Sequence, residues 1–331
     1  MGGIIIYDNL ANSVFFEPLR EGMDELWILS GYATPNMASW LIKNIQSITT
    51  KKIKISLIVG MVPHDGLSVS VHEGFRELVN NGGFVESLTF QCSYVYERPP
   101  VHSKLYIWLK NGLPLYAFTG SANFTQSAFG TSKREYMIAC NSFEAFEAWK
   151  YYRMIEEHTI YCNHSEVEDY IILRPIHPIL DMENNPQNSL EGAGVESVTL
   201  SLLARNGETG IKSGLNWGQR SYRNRNEAYI GLSAYIARSG FFPLNEQHFT
   251  AVTDDGHQLI LRVEQQNDKA ITTPLSNAQL GEYFRKRLNK PNGEYIWRSD
   301  LEVYGRTDVT FYKLDDEQYY MDFSINNRSL L

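Results

Sequence analysis

Cysteine is scarce in this chain of 331 residues. The three cysteines, Cys92, Cys140 and Cys162, are an odd number, and no two of them form a CxxC pair. A disulfide framework and a thiolate zinc site are therefore not indicated, and we predict no metal site and a reducing compartment.

Long apolar runs are also missing. No segment approaches the roughly 18 consecutive apolar residues of a membrane span, and MGGIIIYDNL at the N-terminus has no basic segment ahead of an apolar run. We therefore expect no membrane association and a cytoplasmic location. The sequence also lacks the phosphate-binding pattern GxxxxGK[ST], so no nucleotide site of that kind is predicted.

Positive charge is in deficit overall, since the formal net charge is -8. This excludes a globally basic nucleic-acid-binding protein. Bases are nevertheless concentrated in one segment, where Arg205, Lys212, Arg220, Arg223 and Arg225 are opposed only by Glu208 before Glu227 is reached. Such a local cluster of bases can bind phosphate groups even when the net charge of the protein is negative.

Apolar residues make up 43% of the chain, which suffices for sizeable cores, and the length fits two domains. Residues 1–174 alternate strand and helix patterns, including a helix over 142–158 opened by Ser142, and so predict an α/β domain with a mixed sheet. Residues 175–194 are rich in proline, asparagine and glycine and predict a linker. Residues 195–331 show short strands, turns and one helix over 276–288, which favours a β-barrel-like domain.

Two stretches of the first domain carry polar residues where strands are predicted. VHSKLYIW, residues 101–108, places His102 and Lys104 on one side of a strand, and Ser121 and Asn123 follow the apolar strand LPLYAFT. If the strands are neighbours, the four side chains converge. Neutral imidazole is a competent nucleophile, and lysine and asparagine can hold phosphate oxygens. Taken alone, HxK is also what a strand-end histidine and a solvent-seeking lysine produce.

His102-x-Lys104 followed by Gly120-Ser121-x-Asn123 resembles the signature of the phospholipase D superfamily. The resemblance implies phosphodiester hydrolysis through a phosphohistidine, with no cofactor required. That family usually has an aspartate five residues after the lysine, where this chain has Leu109, and lipid-hydrolysing members would be expected to keep it. A nuclease branch uses a later glutamate instead, which implies that Glu135 orients His102. An exposed strand-end carboxylate is the alternative for Glu135.

The chemistry implied by this resemblance needs two histidines, one to attack phosphorus and one to protonate the leaving oxygen. None of the other histidines is followed by x-Lys; they stand at positions 64, 72, 158, 164, 177, 248 and 257. We therefore expect a homodimer with twofold symmetry in which two HxK motifs form one composite site. His64 and His72 receive no role.

The second half resembles the second domain of the NgoFVII-type restriction endonucleases, most specifically from NWGQR to NEAYI. The resemblance implies a B3-like pseudobarrel that grips DNA between two arms. The implied DNA contacts of the N-arm are Lys212, Ser213, Asn216, Trp217, Gln219, Arg220, Arg223 and Arg225. Those of the C-arm, within LRVEQQNDKAI, are Gln265, Asn267 and Lys269. A solvated polar loop and an ordinary turn are the respective alternatives.

The combined resemblance implies a prokaryotic, type II-like restriction endonuclease whose substrate is double-stranded DNA. A cognate DNA methyltransferase is then an expected partner, and some similar enzymes also work with a separate ATP-dependent translocase or helicase subunit. Two alternatives stay open: a phospholipase D-like phosphodiesterase acting on lipids or small molecules, and a DNA-binding protein without catalytic activity.

Overall fold

The computed structural model describes residues 3–80, 87–130, 134–174 and 186–325. The chain divides into two compact units, residues 1–176 and residues 177–331, which we call unit 1 and unit 2. Each is described here by itself.

Unit 1 contains ten strands and seven α-helices within its described residues. The strands are β1 (Ile4–Ile6), β2 (Glu25–Ser30), β3 (Ile53–Val59), β4 (Leu67–Ser68), β5 (Leu88–Val95), β6 (Leu105–Lys110), β7 (Leu113–Gly120), β8 (Met137–Cys140), β9 (Thr159–Tyr161) and β10 (Leu173–Arg174). The helices are α1 (Glu17–Arg20), α2 (Pro35–Ile48), α3 (Val62–Asp65), α4 (Val69–Asn80), α5 (Gln126–Phe129), α6 (Ser142–Glu156) and α7 (Val167–Tyr170), with a π-helical turn over Asn12–Phe16.

Eight of these strands form one sheet in the order β1-β8-β7-β6-β2-β3-β5-β9. Strands β2, β3 and β5 are parallel, while β6, β7, β8, β1 and β9 join antiparallel neighbours. The predicted α/β domain with a mixed sheet is therefore confirmed. The central strand β2 is buried from Leu26 to Ser30, as expected for a strand covered on both faces.

Helices cover both faces of this sheet because alternate strand residues point in opposite directions. On one face, Trp27 of β2 packs edge-on against Trp149 and Tyr152 of α6. On the other, Phe90 of β5 stacks on Phe75 of α4. Helix α6 is capped by Asn141, whose side chain accepts from the Glu144 amide, so the N-cap lies one residue before the predicted Ser142.

Unit 2 contains seven strands and four α-helices within its described residues. The strands are β11 (Ser197–Ser201), β12 (Ile230–Gly231), β13 (His248–Thr253), β14 (Gln258–Glu264), β15 (Ala270–Thr272), β16 (Asp308–Lys313) and β17 (Gln318–Asp322). The helices are α8 (Pro186–Gly192), α9 (Ala234–Arg238), α10 (Ala278–Arg287) and α11 (Arg298–Tyr304), with a 3₁₀ segment over Gly214–Gln219.

The strands of unit 2 form one sheet in the order β11-β16-β17-β13-β14-β15-β12. Its two edge strands, β11 and β12, approach each other, so that the sheet nearly closes on itself. A single apolar core fills the interior, with fully buried aromatic rings such as Phe249, Phe311 and Tyr319. This nearly closed sheet of seven strands confirms the β-barrel-like architecture predicted for this half.

The predicted linker over 175–194 falls only partly within the described residues, because residues 175–185 lie outside them. Its later part forms α8, where Leu190 is buried against Tyr312 and Tyr320. In the described ranges, none of the helices has the length and apolar character needed to cross a membrane.

Candidate functional site

The HxK pair lies just before strand β6. Residues 101–104 have no regular secondary structure, and β6 begins at Leu105, so the predicted strand over 101–108 is correct only in its second half. Val101 is buried and its amide donates to the carbonyl of Gly60 at the end of β3. This anchor leaves the His102 side chain exposed while Lys104 is only 9% exposed.

Antiparallel pairing of β6 with β7 brings the Gly120-Ser121-x-Asn123 motif close to the HxK pair. Leu105 of β6 is paired with Thr119 of β7 at the end of the ladder. Lys104 directly precedes the first of these residues, and Gly120 and Ser121 directly follow the second. A Cβ atom at Gly120 would lie 2.2 Å from the carbonyl oxygen of Tyr136. Glycine is therefore required for β7 to approach the start of β8 this closely.

Glu135 lies where these strands meet and accepts a hydrogen bond from the Ser121 hydroxyl. Burial lowers the pKa of the Lys104 ammonium, and the negative charge of Glu135 opposes that shift. The Lys104 ammonium also donates to the carbonyl oxygen of His102 at 2.8 Å. Among the described residues, Glu135 makes no hydrogen bond to His102, so the carboxylate holds Ser121 rather than the histidine it was expected to orient.

Asn123 is held by a residue that sequence reasoning did not select. Its Oδ1 accepts from the Tyr32 amide at 3.2 Å and lies 3.5 Å from the Ser30 hydroxyl. The Tyr32 ring meets the His102 imidazole in an edge-to-face arrangement with centroids 5.8 Å apart. Tyr32 therefore connects Asn123 to His102 and brings the two motifs into one site.

The Tyr32 ring is fixed at its hydroxyl end by α3, the short helix that follows β3. Its hydroxyl donates to Asp65 at 2.6 Å, and Asp65 also bonds the His64 imidazole at 2.8 Å. Both hydrogen bonds lower the pKa of the Asp65 carboxyl. Tyr32 and Asp65 follow the carboxyl ends of the parallel strands β2 and β3, and sites in α/β sheets collect at that edge. Their position just after these two parallel strands is the signal that could have identified them.

Close packing against Gly31 also fixes the position of the His102 imidazole. A Cβ atom at Gly31 would lie 2.6 Å from Cδ2 and 3.4 Å from Nε2 of His102. Any larger residue at position 31 would displace the ring. Leu109, five residues after Lys104, is 2% exposed and packs in the core with Trp27 and Ile107.

The residues of the predicted N-arm are mostly at the surface of unit 2. Exposed members are Lys212, Arg220, Arg223 and Arg225, and partly buried members are Ser213, Trp217 and Gln219. The Arg220 Nε atom donates to the Lys212 carbonyl, and Arg225 donates to the Gln219 side chain, each at 2.8 Å. The segment is thus a folded loop with internal bonds and outward-facing cations.

Asn216 is the exception, and the prediction that it contacts DNA is corrected. Its side chain is fully buried, donates to the carbonyls of Gly210 and Ile296, and accepts from the Ile296 amide. An amide with these bonds inside the fold does not reach a ligand. Asn216 instead ties the base of the N-arm to the chain before α11.

A buried arginine also holds the part of the fold from which the N-arm extends. Arg285 of α10 is fully buried, and it donates to the carbonyls of Glu294 at 2.8 Å and Gly281 at 3.2 Å. It also reaches the carbonyls of Leu215, in the arm, and of Asn226, directly after it, at 3.5 Å. Burial lowers the pKa of this guanidinium. Arg285 is therefore a structural link between the N-arm and α10.

The predicted C-arm contacts lie in the hairpin loop between β14 and β15. Gln265, Asn267 and Lys269 are all exposed, and the first two have left-handed backbone with φ of 73° and 63°. The Lys269 carbonyl accepts from Leu232, just beyond β12. The N-arm precedes β12, and the amide of Ala228, between the arm and β12, donates to the carbonyl of Asn277, beyond β15. Since β12 and β15 are antiparallel, the two arms leave opposite ends of this ladder.

Within the ranges that the structure describes, no group of three or more His, Cys, Asp or Glu residues has an arrangement that could hold a metal ion. The polar groups that unit 1 gathers around His102 are an ammonium, a hydroxyl, an amide and one carboxylate.

Family comparison accounts for both units. The profile described as the NgoFVII restriction endonuclease N-terminal PLD domain matches residues 8–169, and the profile of the NgoFVII C-terminal B3-like DNA-binding domain matches residues 190–315. The chain therefore joins a phospholipase D-type domain to a B3-like DNA-binding domain. The two matches together span most of the sequence in the order expected. The chain belongs to the NgoFVII restriction endonuclease family.

Several solved structures are similar to part of the chain. NucT from Helicobacter pylori is 15% identical with a TM-score of 0.33, covering 48% of this chain and 98% of its own. Nuc from Salmonella typhimurium, a phospholipase D family member, is 13% identical with a TM-score of 0.35, covering 48% and 95%. Polyphosphate kinase from Porphyromonas gingivalis is 11% identical with a TM-score of 0.30, covering 58% and 28%. No curated protein sequence matches the chain.

Proposed function

We propose that this protein is a type II-like, site-specific restriction endonuclease that hydrolyses duplex DNA without a metal, through a phosphohistidine formed in the composite active site of a homodimer. The observation that carries the proposal is the grouping of Lys104, Ser121 and Asn123 around one exposed imidazole, that of His102. Every group in this set can either attack phosphorus or bind the oxygens around it.

The first chemical step is displacement at phosphorus. The neutral imidazole of His102 attacks, a P–N bond forms, and the P–O bond to one DNA strand breaks. The leaving oxygen takes a proton from the imidazolium of the partner subunit's His102. Lys104 and Asn123 bind the non-bridging oxygens while negative charge builds on them, and Ser121 holds Glu135 beside the ammonium.

The second step restores the enzyme. Water attacks the phosphohistidine, its proton passes to the imidazole of the partner subunit's His102, and the P–N bond breaks to release a DNA end that carries the phosphate. Two imidazoles are needed in this sequence and each chain has a single HxK motif. The composite dimeric site follows from that count.

Recognition of the DNA is assigned to unit 2. The exposed cations Lys212, Arg220, Arg223 and Arg225 and the hairpin residues Gln265, Asn267 and Lys269 lie on two arms at opposite ends of one ladder. Two arms so placed can hold a duplex between them. A cytoplasmic prokaryotic enzyme of this kind requires a cognate methyltransferase to protect host DNA, and a separate ATP-dependent translocase or helicase is a further partner to test for.

The direct test is incubation of plasmid DNA with the purified protein in excess EDTA, followed by sequencing of the DNA ends. Cutting at fixed positions is expected. The variant H102A should bind DNA as the wild type does but not cut it. H158A is the matched control, because His158 is also exposed but lies after α6, bonded to Glu97.

The other two functions give different results in the same experiment. Binding of DNA without cutting would indicate a DNA-binding protein without catalysis. Hydrolysis of phospholipid or of a small phosphodiester, with DNA untouched, would indicate the phosphodiesterase alternative. Cutting by H102A at the wild-type rate would show that the catalytic residues are wrongly assigned.

A further inference from the structure

One arginine of the N-arm is held differently from the others. The guanidinium carbon of Arg223 lies 3.9 Å from the centroid of the Trp217 ring, and its Nη1 atom forms an ion pair with Glu227. The side chains of Arg223 and Glu227 are 35% and 19% exposed. We call these three residues the Arg223 cluster. The stack and the carboxylate together fix the plane of the guanidinium.

The arm backbone holds the two residues that fix this plane. The Glu227 amide donates to the Asn224 carbonyl at 3.0 Å, and the Glu227 carbonyl accepts from Gly218 at 2.7 Å. A Cβ atom at Gly218 would lie 2.2 Å from the Asn224 carbonyl oxygen, so this close approach requires glycine. The Trp217 ring packs edge-on against Tyr229, with centroids 5.5 Å apart. The geometry of the Arg223 cluster is therefore built into the free protein.

The other two arginines of the arm bind neutral groups. Arg220 donates to a backbone carbonyl and Arg225 donates to the Gln219 amide oxygen. Within the described residues, neither guanidinium forms an ion pair with a carboxylate. Both therefore keep an uncompensated positive charge at the surface, whereas the charge of Arg223 is largely balanced by Glu227.

This difference separates two kinds of DNA contact. A compensated cation gains little from a phosphate, because the phosphate would approach the carboxylate as well and few counterions would be released. A guanidinium with a fixed plane is instead suited to the O6 and N7 acceptors of guanine, which need two donors in one orientation. Arginine has five N–H donors, and the ion pair to Glu227 leaves others for this purpose.

We infer that Arg223 reads a guanine in the major groove, with Trp217 and Glu227 as its positioning residues, while Arg220 and Arg225 bind phosphates. This inference rests on the proposed DNA recognition by unit 2. It adds which arginine of the N-arm contacts a base and which contact phosphates. It also predicts at least one G·C pair at a fixed position in the recognition sequence.

The test uses full-length protein carrying H102A, so that binding is measured without cutting. The preferred sequence is first selected from a random duplex pool. Affinity is then measured at several salt concentrations for that sequence, and for versions in which one guanine at a time is replaced by 7-deazaguanine, which lacks the N7 acceptor.

The substitution R223K keeps the charge but loses the fork of donors. We expect it to weaken binding to the preferred sequence by roughly 10-fold or more, to abolish the effect of 7-deazaguanine at one position, and to leave the salt slope unchanged. R238K is the matched control, because Arg238 is an exposed arginine of α9 outside both arms, and it should keep both affinity and discrimination. R220A and R225A should weaken binding to all sequences alike and reduce the salt slope by about one contact each.

The substitution E227Q tests whether Glu227 positions Arg223 or only prevents Arg223 from contacting a phosphate. If Glu227 positions Arg223, E227Q reduces discrimination at the same guanine and steepens the salt dependence, since Arg223 is then free to meet phosphates. Equal tightening on every sequence with discrimination intact would show that Glu227 only masks a phosphate contact, and would overturn the inference. So would full discrimination by R223K. Absence of any sequence preference in the parent protein would instead refute the proposed recognition function, and the inference with it.

Discussion

The Ser121 hydroxyl donates a hydrogen bond to the Glu135 carboxylate, and that carboxylate opposes the fall in the pKa of the buried Lys104 ammonium. Burial alone would move Lys104 toward its neutral form. The cleavage rate should therefore decline as the pH rises through the lowered pKa of Lys104. In E135Q the opposing charge is lost, the pKa of Lys104 falls further, and this decline should begin at lower pH.

The pH profile of single-turnover cleavage measures this shift. E135Q should also cut more slowly, by roughly 100-fold, because Lys104 and Ser121 lose their fixed partner. K104R is the matched comparison, since arginine stays charged throughout and should remove the alkaline decline. An alkaline decline at the same pH in all three proteins would rule out Lys104 as its source.

A second prediction concerns the close contact between Gly31 and the His102 ring. G31A places a methyl group 2.6 Å from His102 Cδ2, so the ring must move. We expect cleavage to fall by about 100-fold, the effect of a misplacement of roughly 1 Å, while DNA binding is unchanged. G192A is the control, because a Cβ there meets nothing within 4 Å. Normal cleavage by G31A would mean that the position of His102 is not critical.

If the active site needs His102 from both subunits, one H102A subunit should inactivate the whole dimer. When wild-type chains exchange with an equal amount of H102A chains, statistical pairing leaves about a quarter of the dimers with two wild-type subunits. Cleavage activity per wild-type chain should then fall to about half. Activity per wild-type chain that stays constant on mixing would show that each chain acts alone. Light scattering on the same samples gives the oligomeric state.

The base of the N-arm is a separate test of unit 2. R285A removes a buried guanidinium and the hydrogen bonds that it donates to the carbonyls of Glu294 and Gly281. The free energy of unfolding of unit 2 should fall by about 3 kcal/mol. Hydrogen exchange of the β13 and β14 amides reports this loss locally. R238A, a change at an exposed arginine of α9, should leave the exchange rates as they are.

Much of unit 1 could be predicted from sequence because strand and helix patterns are local. The neighbouring positions of the two motifs follow from the hairpin of β6 and β7, whose tight turn lies at Asn111 and Gly112. The strand assignment for His102 and Lys104 was wrong because a buried anchor at Val101, which is a tertiary contact, decides where β6 begins.

Residues selected by long-range contacts could not be predicted. Tyr32 enters the site only because β2 lies beside β6, and the burial of Asn216 depends on Ile296, eighty positions away in sequence. A polar residue in a polar segment looks like a ligand contact until the fold shows what surrounds it. Glu227 shows the reverse: it was counted only as the acidic end of a basic segment, and its contact with Arg223 appears only in the folded arm.

The most direct measurement is a search for the covalent intermediate. Cleavage of end-labelled duplex DNA in EDTA is stopped by denaturation under alkaline conditions, where a phosphohistidine survives, and the protein is digested and sequenced. We predict a labelled peptide joined to DNA through His102, lost on mild acid treatment and absent from H102A. Efficient cutting with no adduct at any time would contradict the phosphohistidine mechanism.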